Sequence, residues 1–286
     1  MQRRQLLSLL VLGAGSSVAA TPRQPALIYP LHDAAGQQQW RYHEDLVRLA
    51  LQRSGTSYGI VESTVPMTQA RVLRELADGT GRLDLAWTMT SVEREALLQP
   101  VRVPVERGLI GFRLALVRPE HVDRWKDVTA LRGLRPYVAG QGQDWPDTEI
   151  LRTNGLKVST SQQYTALFDM LRAGRIDYFP RSAFEIDGEI DSGIAHGLVI
   201  EPHVLLRYPA ASYLFVRRDR PTLAADLQRG LDLMVADGSF ARLFQQHFGD
   251  LIRRHRLRQR AQIVLRNPLL PAATPLDKPG YWFMLD

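Results

Sequence analysis

The apolar residues in the first third of the chain follow two alternating spacings. Short continuous apolar runs have the length of buried strands, and the longer stretches between them repeat apolar residues every three to four positions, as helices do. The expected strands are 26–29, 58–61 and 83–87, and the expected helices are 40–54 and 68–78, the second closed by Gly79. This order predicts parallel strands joined by right-handed crossovers in an α/β lobe.

The middle of the chain repeats this pattern and predicts a second lobe. An extended run at 109–117 and a polar, turn-rich connection at 120–134 precede it, and another extended run, 211–216, follows it. The further expected strands are 136–139, 157–160, 177–179 and 198–200, and the further helices are 148–153, 164–173, 223–236 and 240–248. The chain is therefore expected to leave one lobe, build a second and return.

This organisation predicts an α/β fold of two lobes joined near 112–117 and 211–216. The expected divisions are a signal peptide at 1–20, a first lobe at 21–113, a second lobe at 114–208, and the return to the first lobe with the tail at 209–286. The tail is rich in proline but apolar, so we expect it to pack on the first lobe.

Residues 1–20 have the three parts of a secretory signal. Arg3 and Arg4 give a positive start, an apolar run follows from Leu6, and Val18-Ala19-Ala20 suits cleavage, so the mature chain is expected to begin near Thr21 in the periplasm. The two arginines leave open whether export uses a twin-arginine route. The absence of cysteine excludes disulfides and thiolate metal sites.

The positive charge of the chain is local. Of 36 Lys and Arg, two lie in the signal and six in the acid-free stretch 251–266, which leaves 28 basic against 30 acidic side chains. A broad basic surface for nucleic acid is therefore not expected.

The loop after the third strand suggests an anion site. Ser91 can cap a short helix, and Arg94 then lies in its first turn, where a cation is electrostatically unfavourable unless an anion is bound nearby. Trp87, the hydroxyls of Thr90 and Ser91, and the guanidinium fork would together suit a carboxylate. The alternative is a surface arginine paired with a neighbouring glutamate.

The order of several short motifs resembles that of the periplasmic solute-binding proteins of the amino-acid type, solute-binding family 3 with the type II fold. Those motifs are Gly81-Arg-Leu-Asp84, Ser91-Val-Glu-Arg94, the apolar and proline segment 99–104, Gly174-Arg-Ile-Asp177, and 237–244. The resemblance implies a two-lobe clamp with a two-strand hinge, a ligand between the lobes, and Arg94 as the residue that holds the ligand's carboxylate.

The second lobe departs from the family pattern. The Gly140-Gln141 loop runs into an insert containing Trp145, which could be a lid or a buried anchor. Arg181 stands where amino-acid binders usually place an aspartate, with Glu185 one helical turn further on. Arg181 could bind a second anionic group or pair with Glu185.

The expected function is reversible binding of a small, carboxylate-bearing solute for a membrane permease or a periplasmic sensor domain. The protein is expected to be monomeric, to need no cofactor or metal, and not to be an enzyme. Two alternatives remain, a dehydratase-like enzyme using Glu185 or Asp147 as its acid, and a sensory module without a transport role. Asp187, Glu189 and Asp191 are expected on a solvated turn.

Overall fold

A computed structural model describes residues 25–31 and 37–285. The predicted signal peptide lies outside the described residues. Within the described ranges, no helix combines the length and apolar character that crossing a membrane requires.

The secondary structure follows the order expected from the apolar pattern, with most boundaries shifted by one or two residues. The strands are β1 Ala26–Tyr29, β2 Gly59–Glu62, β3 Leu85–Met89, β4 Gln99–Val101, β5 Phe112–Val117, β6 Val138–Gly142, β7 Lys157–Ser161, β8 Phe179–Ser182, β9 Val199–Ile200, β10 Val204–Arg207, β11 Ser212–Val216 and β12 Ala261–Val264. The helices are α1 Gln37–Arg53, α2 Gln69–Asp78, α3 Val92–Leu97, α4 Leu131–Leu134, α5 Pro146–Thr153, α6 Tyr164–Arg172, α7 Ile186–Asp191, α8 Pro221–Ala236 and α9 Ser239–Arg254.

The first lobe is built on strands β1 to β4 and the returning strand β11. β1 and β2 are parallel, as predicted, and β11 runs antiparallel between β3 and β4. Two hydrogen bonds between Ile28 and Asp84 link the two groups of strands: Ile28 N donates to the Asp84 carboxylate, and Asp84 N donates to the Ile28 carbonyl. Helices α1 and α8 cover them and pack closely, since a Cβ on Gly230 would lie 1.9 Å from the carbonyl oxygen of Ala50.

The second lobe contains a sheet in the order β12-β10-β5-β8, with β9 also paired to β5. β6 and β7 form a parallel pair, and a bridge between Ala139 and Tyr178 joins this pair to the start of β8. The carboxyl ends of β6 and β8 therefore lie side by side. These strand ends carry the residues that face the first lobe, which is where ligands bind in such sheets.

The crossings between the lobes lie beside the predicted strands. β5 pairs only with second-lobe strands among the described residues, and β11 pairs only with β3 and β4. The chain crosses in the segments 106–111 and 208–211, which are joined by a hydrogen bond from Tyr208 N to Gly111 O. An extended apolar run does not by itself reveal which sheet it joins. The lobe boundaries themselves stay a prediction.

The stretch after α9 contacts both lobes, and the proline-rich tail at its end packs on the first lobe, as expected. β12 pairs in parallel with β10 of the second lobe, and Asn154 exchanges two hydrogen bonds with the backbone of Arg266. The chain then crosses to the first lobe, where Leu269 O accepts from Val92 N and Phe283 N donates to Arg107 O. The stretch after α9 is thus a third connection between the lobes.

Candidate functional site

A cavity of about 580 Å³ opens between the two lobes. From the first lobe, Trp40, Met67, Gln69, Trp87 and Thr88 line it. From the second lobe, the lining includes Gln143, Asp144, Trp145, Tyr164, Arg181, Glu185 and Glu189. Trp87 and Thr88 lie in β3 and Arg181 lies in β8. The other lining residues lie in the loops or helices that follow strands, so strand topology brings them together.

Arg94 is fixed by the helix that carries it. Ser91 is the N-cap of α3, as predicted, and its hydroxyl accepts from Arg94 N at 3.2 Å. The Arg94 side chain is 8% exposed. Its Nη1 donates to Thr88 Oγ1 and to the Met89 carbonyl, both at 2.8 Å. Its Nη2 donates to Gln69 Oε1 at 2.5 Å and, across the cleft, to the Asp144 carbonyl at 3.4 Å.

The Arg94 guanidinium is thus held by neutral oxygens. Among the described residues no carboxylate forms an ion pair with it, and Glu95 pairs with Arg102 instead. Burial lowers the pKa of Arg94 to about 10, while Asp147, Glu93 and Asp144 act in the opposite direction from a distance. Arg94 therefore stays charged at neutral pH. It lies behind Gln69 and Thr88, which line the cavity, and it does not form the surface ion pair with a glutamate that was the alternative.

Arg181 forms the internal ion pairs that the sequence left open. Its Nη2 lies 3.2 Å from Glu185 Oε2, and its Nε lies 2.5 Å from Glu189 Oε1. Burial works against the Arg181 charge, but the two glutamates outweigh it and raise its pKa. Burial also raises the pKa of Glu189, because Arg181 compensates only part of the desolvation cost. The Tyr164 hydroxyl completes the cluster by donating to Glu189 at 2.7 Å.

Glu189 corrects the expectation of a solvated acidic turn. It is 1% exposed and lies on α7, whose position places it under Arg181. Asp187 is half-buried and lies 2.6 Å from Arg254, at the end of α9, and 2.6 Å from His255, which follows it. Alternating acids look solvated in a sequence because their basic partners lie far away along the chain.

A second ion pair lies beneath the cavity, beside the crossing segments. Arg113 Nη2 is 2.6 Å from Asp147 Oδ1, and both side chains are buried. The Tyr208 hydroxyl also donates to Asp147. Burial opposes the Arg113 charge, but Asp147, Tyr208 and Glu185 raise its pKa above the usual value. Arg113 also lies 3.7 Å from Glu185, which links the two ion-pair clusters.

Aromatic rings form two walls of the cavity. On the second lobe, Trp145 lies over the Arg181 guanidinium, with 4.8 Å between Cζ and the ring centroid. Gly142 makes room for it, since a Cβ there would lie 2.5 Å from the indole. On the first lobe, Trp87 stacks in parallel on His43 at 5.1 Å.

The structure brings some of the predicted site residues together and separates others. Trp87, Trp145, Arg181 and Glu185 line the cavity, and Arg94 lies directly behind two lining residues. Three predicted residues do not line it: Ser91 caps α3, Thr90 donates to Glu95 at 2.8 Å, and Gln141 donates to the Pro180 carbonyl. Residues next to each other in a strand or loop point to different sides, so neighbours of a site residue need not share its cavity.

Several lining residues had no signal in the sequence. Trp40 and Gln69 lie in the first turns of α1 and α2, Tyr164 begins α6, and Glu189 is on α7. Trp40, Gln69 and Tyr164 belong to helices whose apolar spacing predicted only a packing face, whereas Glu189 belongs to a helix where a solvated turn was expected. A polar or aromatic residue in the first turn after a strand could have been proposed as a site residue, because these turns meet at one edge of the sheet.

Comparison with known proteins supports the fold. No family model matches the sequence, and no curated protein matches it. A substrate-binding protein of an amino-acid ABC transporter from Streptococcus pneumoniae, bound to L-arginine, is 13% identical, covers 79% of this chain and 96% of its own, with a TM-score of 0.54. A histidine kinase sensor domain similar to periplasmic binding proteins is 15% identical, covers 79% of this chain and 96% of its own, and also has a TM-score of 0.54.

A third solved structure is an ancestral amino-acid-binding protein described as a precursor of cyclohexadienyl dehydratase. It is 16% identical, covers 78% of this chain and 95% of its own, and has a TM-score of 0.53. At such identities the likeness establishes the fold alone. The chain has the two-lobe fold of the type II periplasmic binding proteins, as the order of its motifs predicted, and the cavity between the lobes supports binding of a small solute.

Proposed function

We propose that this protein binds a small, carboxylate-bearing solute between its lobes without chemical conversion. The observation that carries the proposal is Arg94, a buried guanidinium at the cleft that is still charged at neutral pH and is held only by neutral oxygens among the described residues. Replacing a neutral acceptor with a carboxylate would compensate the buried charge. Gln69 is half-buried and lines the cavity, so its amide oxygen occupies the place that we assign to a ligand oxygen.

The carboxylates of the cleft support binding over catalysis. Glu185 and Asp147, the acids that a dehydratase-like reaction would use, both lie within ion-pairing distance of arginines. Each of them already compensates a buried arginine, so its use as an acid would leave that guanidinium without its partner. This observation favours a binding protein, although one of the similar structures is a precursor of an enzyme.

Delivery of the solute to a membrane permease or to a sensor domain is part of the same proposal. The similar structures include both a transporter component and a kinase sensor domain, so the fold serves either purpose. The periplasmic location rests on the signal-like residues 1–20, and the monomeric state stays an expectation. The cleft chemistry is the same in both cases, so the test below concerns the ligand.

The test begins with a thermal-shift screen over amino, keto and dicarboxylic acids, since ligand at 100 times its Kd adds about 2.7 kcal/mol of stability. Calorimetric titration of the best compound then compares the wild type with Arg94→Ala. We expect a loss on the order of 2 to 5 kcal/mol of binding free energy, because the ligand's charge loses its partner. This corresponds to roughly 30- to 3,000-fold in Kd.

Three variants sharpen the test. Arg94→Lys should recover part of the affinity, since a point charge cannot reproduce the guanidinium fork. Arg181→Ala separates ligands with one anionic group from those with two, because only the latter should need both arginines. Arg82→Ala, on the exposed side of the first lobe, is the matched control and should bind as the wild type does. Unchanged affinity in a folded Arg94→Ala protein would contradict the proposal that Arg94 binds the carboxylate of the ligand.

A further inference from the structure

Strand β12 forms one edge of the second-lobe sheet, away from the cavity between the lobes. It pairs with β10 alone among the described residues, and Ala261 N and Leu265 N donate to backbone carbonyls on that side. Backbone groups alternate in direction along a strand, so the N–H and C=O groups of Gln262 and Val264 point to the opposite side. The described part of the chain places no strand there, which leaves this edge open to a partner.

The end of this edge is already paired with an amide. Arg266, two residues beyond Val264, directs its backbone groups to the same open side. Its N–H donates to Asn154 Oδ1 at 3.0 Å, and its carbonyl oxygen accepts from Asn154 Nδ2 at 2.7 Å. A side-chain amide thus supplies the donor and the acceptor that an added strand would supply, and the backbone groups at 262 and 264 remain for a longer partner.

Exposed arginines lie beyond both ends of β12. Arg256 and Arg258 precede the strand and Arg266 follows it. The ion pairs of the stretch 251–266 are formed by Arg253, Arg254 and Arg260 instead. Natural edge strands are protected from pairing by charges or proline on the strand itself, and β12 has neither. Its flanking arginines therefore suit recognition of acidic groups more than protection of the edge.

Arg256 keeps its position despite backbone strain. Its φ is 49°, in the left-handed region that glycine adopts freely and other residues rarely adopt. The residue makes the turn between α9 and β12. A glycine would make the same turn without strain, so an arginine here points to a role for its charge.

We propose that β12 is a docking edge for an extended acidic segment of a partner protein, which adds a strand beside Gln262 and Val264 and places its carboxylates at the flanking arginines. Main-chain hydrogen bonds would supply affinity, and the charges would select the partner. A second copy of this chain is a poor occupant, since two β12 strands side by side would bring like charges together. The inference concerns a surface outside the cavity and does not depend on the solute.

The probe is a fluorescent synthetic peptide with a Val-Thr-Val centre and aspartates at both ends, titrated with the full chain by fluorescence anisotropy. We expect the wild type to bind it, with an affinity that falls as salt is added. Val264→Pro removes an outward N–H but no bond to β10, so it should weaken binding by about 10-fold. Val264→Ala keeps that N–H and is the matched control, which should bind as the wild type does. Arg256→Gly should bind more weakly without losing stability, because glycine relieves the left-handed φ.

A peptide N-methylated at its central residues tests the pairing without changing the protein, and it should not bind, since it cannot donate to the edge carbonyls. The proposal is wrong if the unmodified peptide does not bind the wild type or if the N-methylated peptide binds equally well. Full affinity in folded Val264→Pro would mean that charge attraction alone explains the binding, and would also contradict the proposal. Displacement of the peptide by phosphatidylglycerol vesicles that bind wild type and Val264→Pro alike would assign the arginines to a membrane surface instead.

Discussion

At the scale of the residue, the chemistry of the cleft depends on partners that are distant in sequence. Arg181 and Glu185 are close enough along the chain for their pairing to be anticipated, whereas Arg113 and Asp147 are brought together only by the second-lobe fold. Local rules predicted the Ser91 cap, since a cap uses atoms three residues apart. No local rule reports that a side chain will be buried beside a particular charge.

Replacing Arg181 by methionine should destabilise the protein by about 3 to 5 kcal/mol at neutral pH, because Glu185 and Glu189 would lose their shared partner in a buried site. This loss of stability should become smaller as the pH falls. The folded-state pKa of Glu189 already lies above its unfolded value of 4.5. Its charge therefore costs stability above the folded pKa, and protonation removes that cost as the pH falls towards 4.5.

Urea denaturation of Arg181→Met and wild type between pH 7 and pH 4.5 measures this difference. Arg253→Met is the matched control, since Arg253 and its partner Asp250 are both largely exposed and such pairs add little stability. If the difference in free energy of unfolding between wild type and Arg181→Met stays constant with pH, then lost packing, and not the buried charge of Glu189, causes the loss of stability.

At the scale of the element, strand β12 is the main feature that the sequence did not predict. It lies in the arginine-rich stretch after α9 and is only four residues long, so its apolar signal was hidden among charges. One of those arginines, Arg260, is itself buried and donates to the Glu201 and Val204 carbonyls. The stretch is therefore partly structural and not simply a basic surface.

Adjacent residues of β12 provide a matched test of this strand. Ile263 is 3% exposed and Val264 is 67% exposed. Ile263→Ala should cost about 2 to 4 kcal/mol through lost burial and the cavity it leaves. Val264→Ala should stay within about 0.5 kcal/mol of the wild type. Denaturation midpoints, followed by tryptophan fluorescence, measure the stability of both variants. Equal midpoints would mean that β12 contributes no packing in solution.

At the scale of the whole molecule, two crossing segments and the stretch after α9 connect the lobes. We expect closure on a ligand to bend the chain at 106–111 and 208–211, since these lie between complete lobes. The third crossing, near 265–269, should limit how far the lobes separate. Small-angle scattering with and without the best carboxylate ligand of the screen should show a smaller radius of gyration in the bound state. Identical curves would exclude closure.

The sequence by itself determined the alternation of strands and helices, the presence of two α/β units and the order of motifs that identified the fold. These features depend on spacing within ten or twenty residues, where hydrophobic period and capping operate. It also identified Arg94, Trp87, Trp145, Arg181 and Glu185 as site candidates.

Tertiary structure alone decided which sheet each extended run joined, and so where the lobes connect. It also decided which charges neutralise one another, because ion pairs such as Arg113 with Asp147 form between residues on different elements. The same reason explains why Glu189 was expected on a solvated turn. Its partners Arg181 and Tyr164 lie on β8 and α6, and only the packing of these elements against α7 buries the three side chains together.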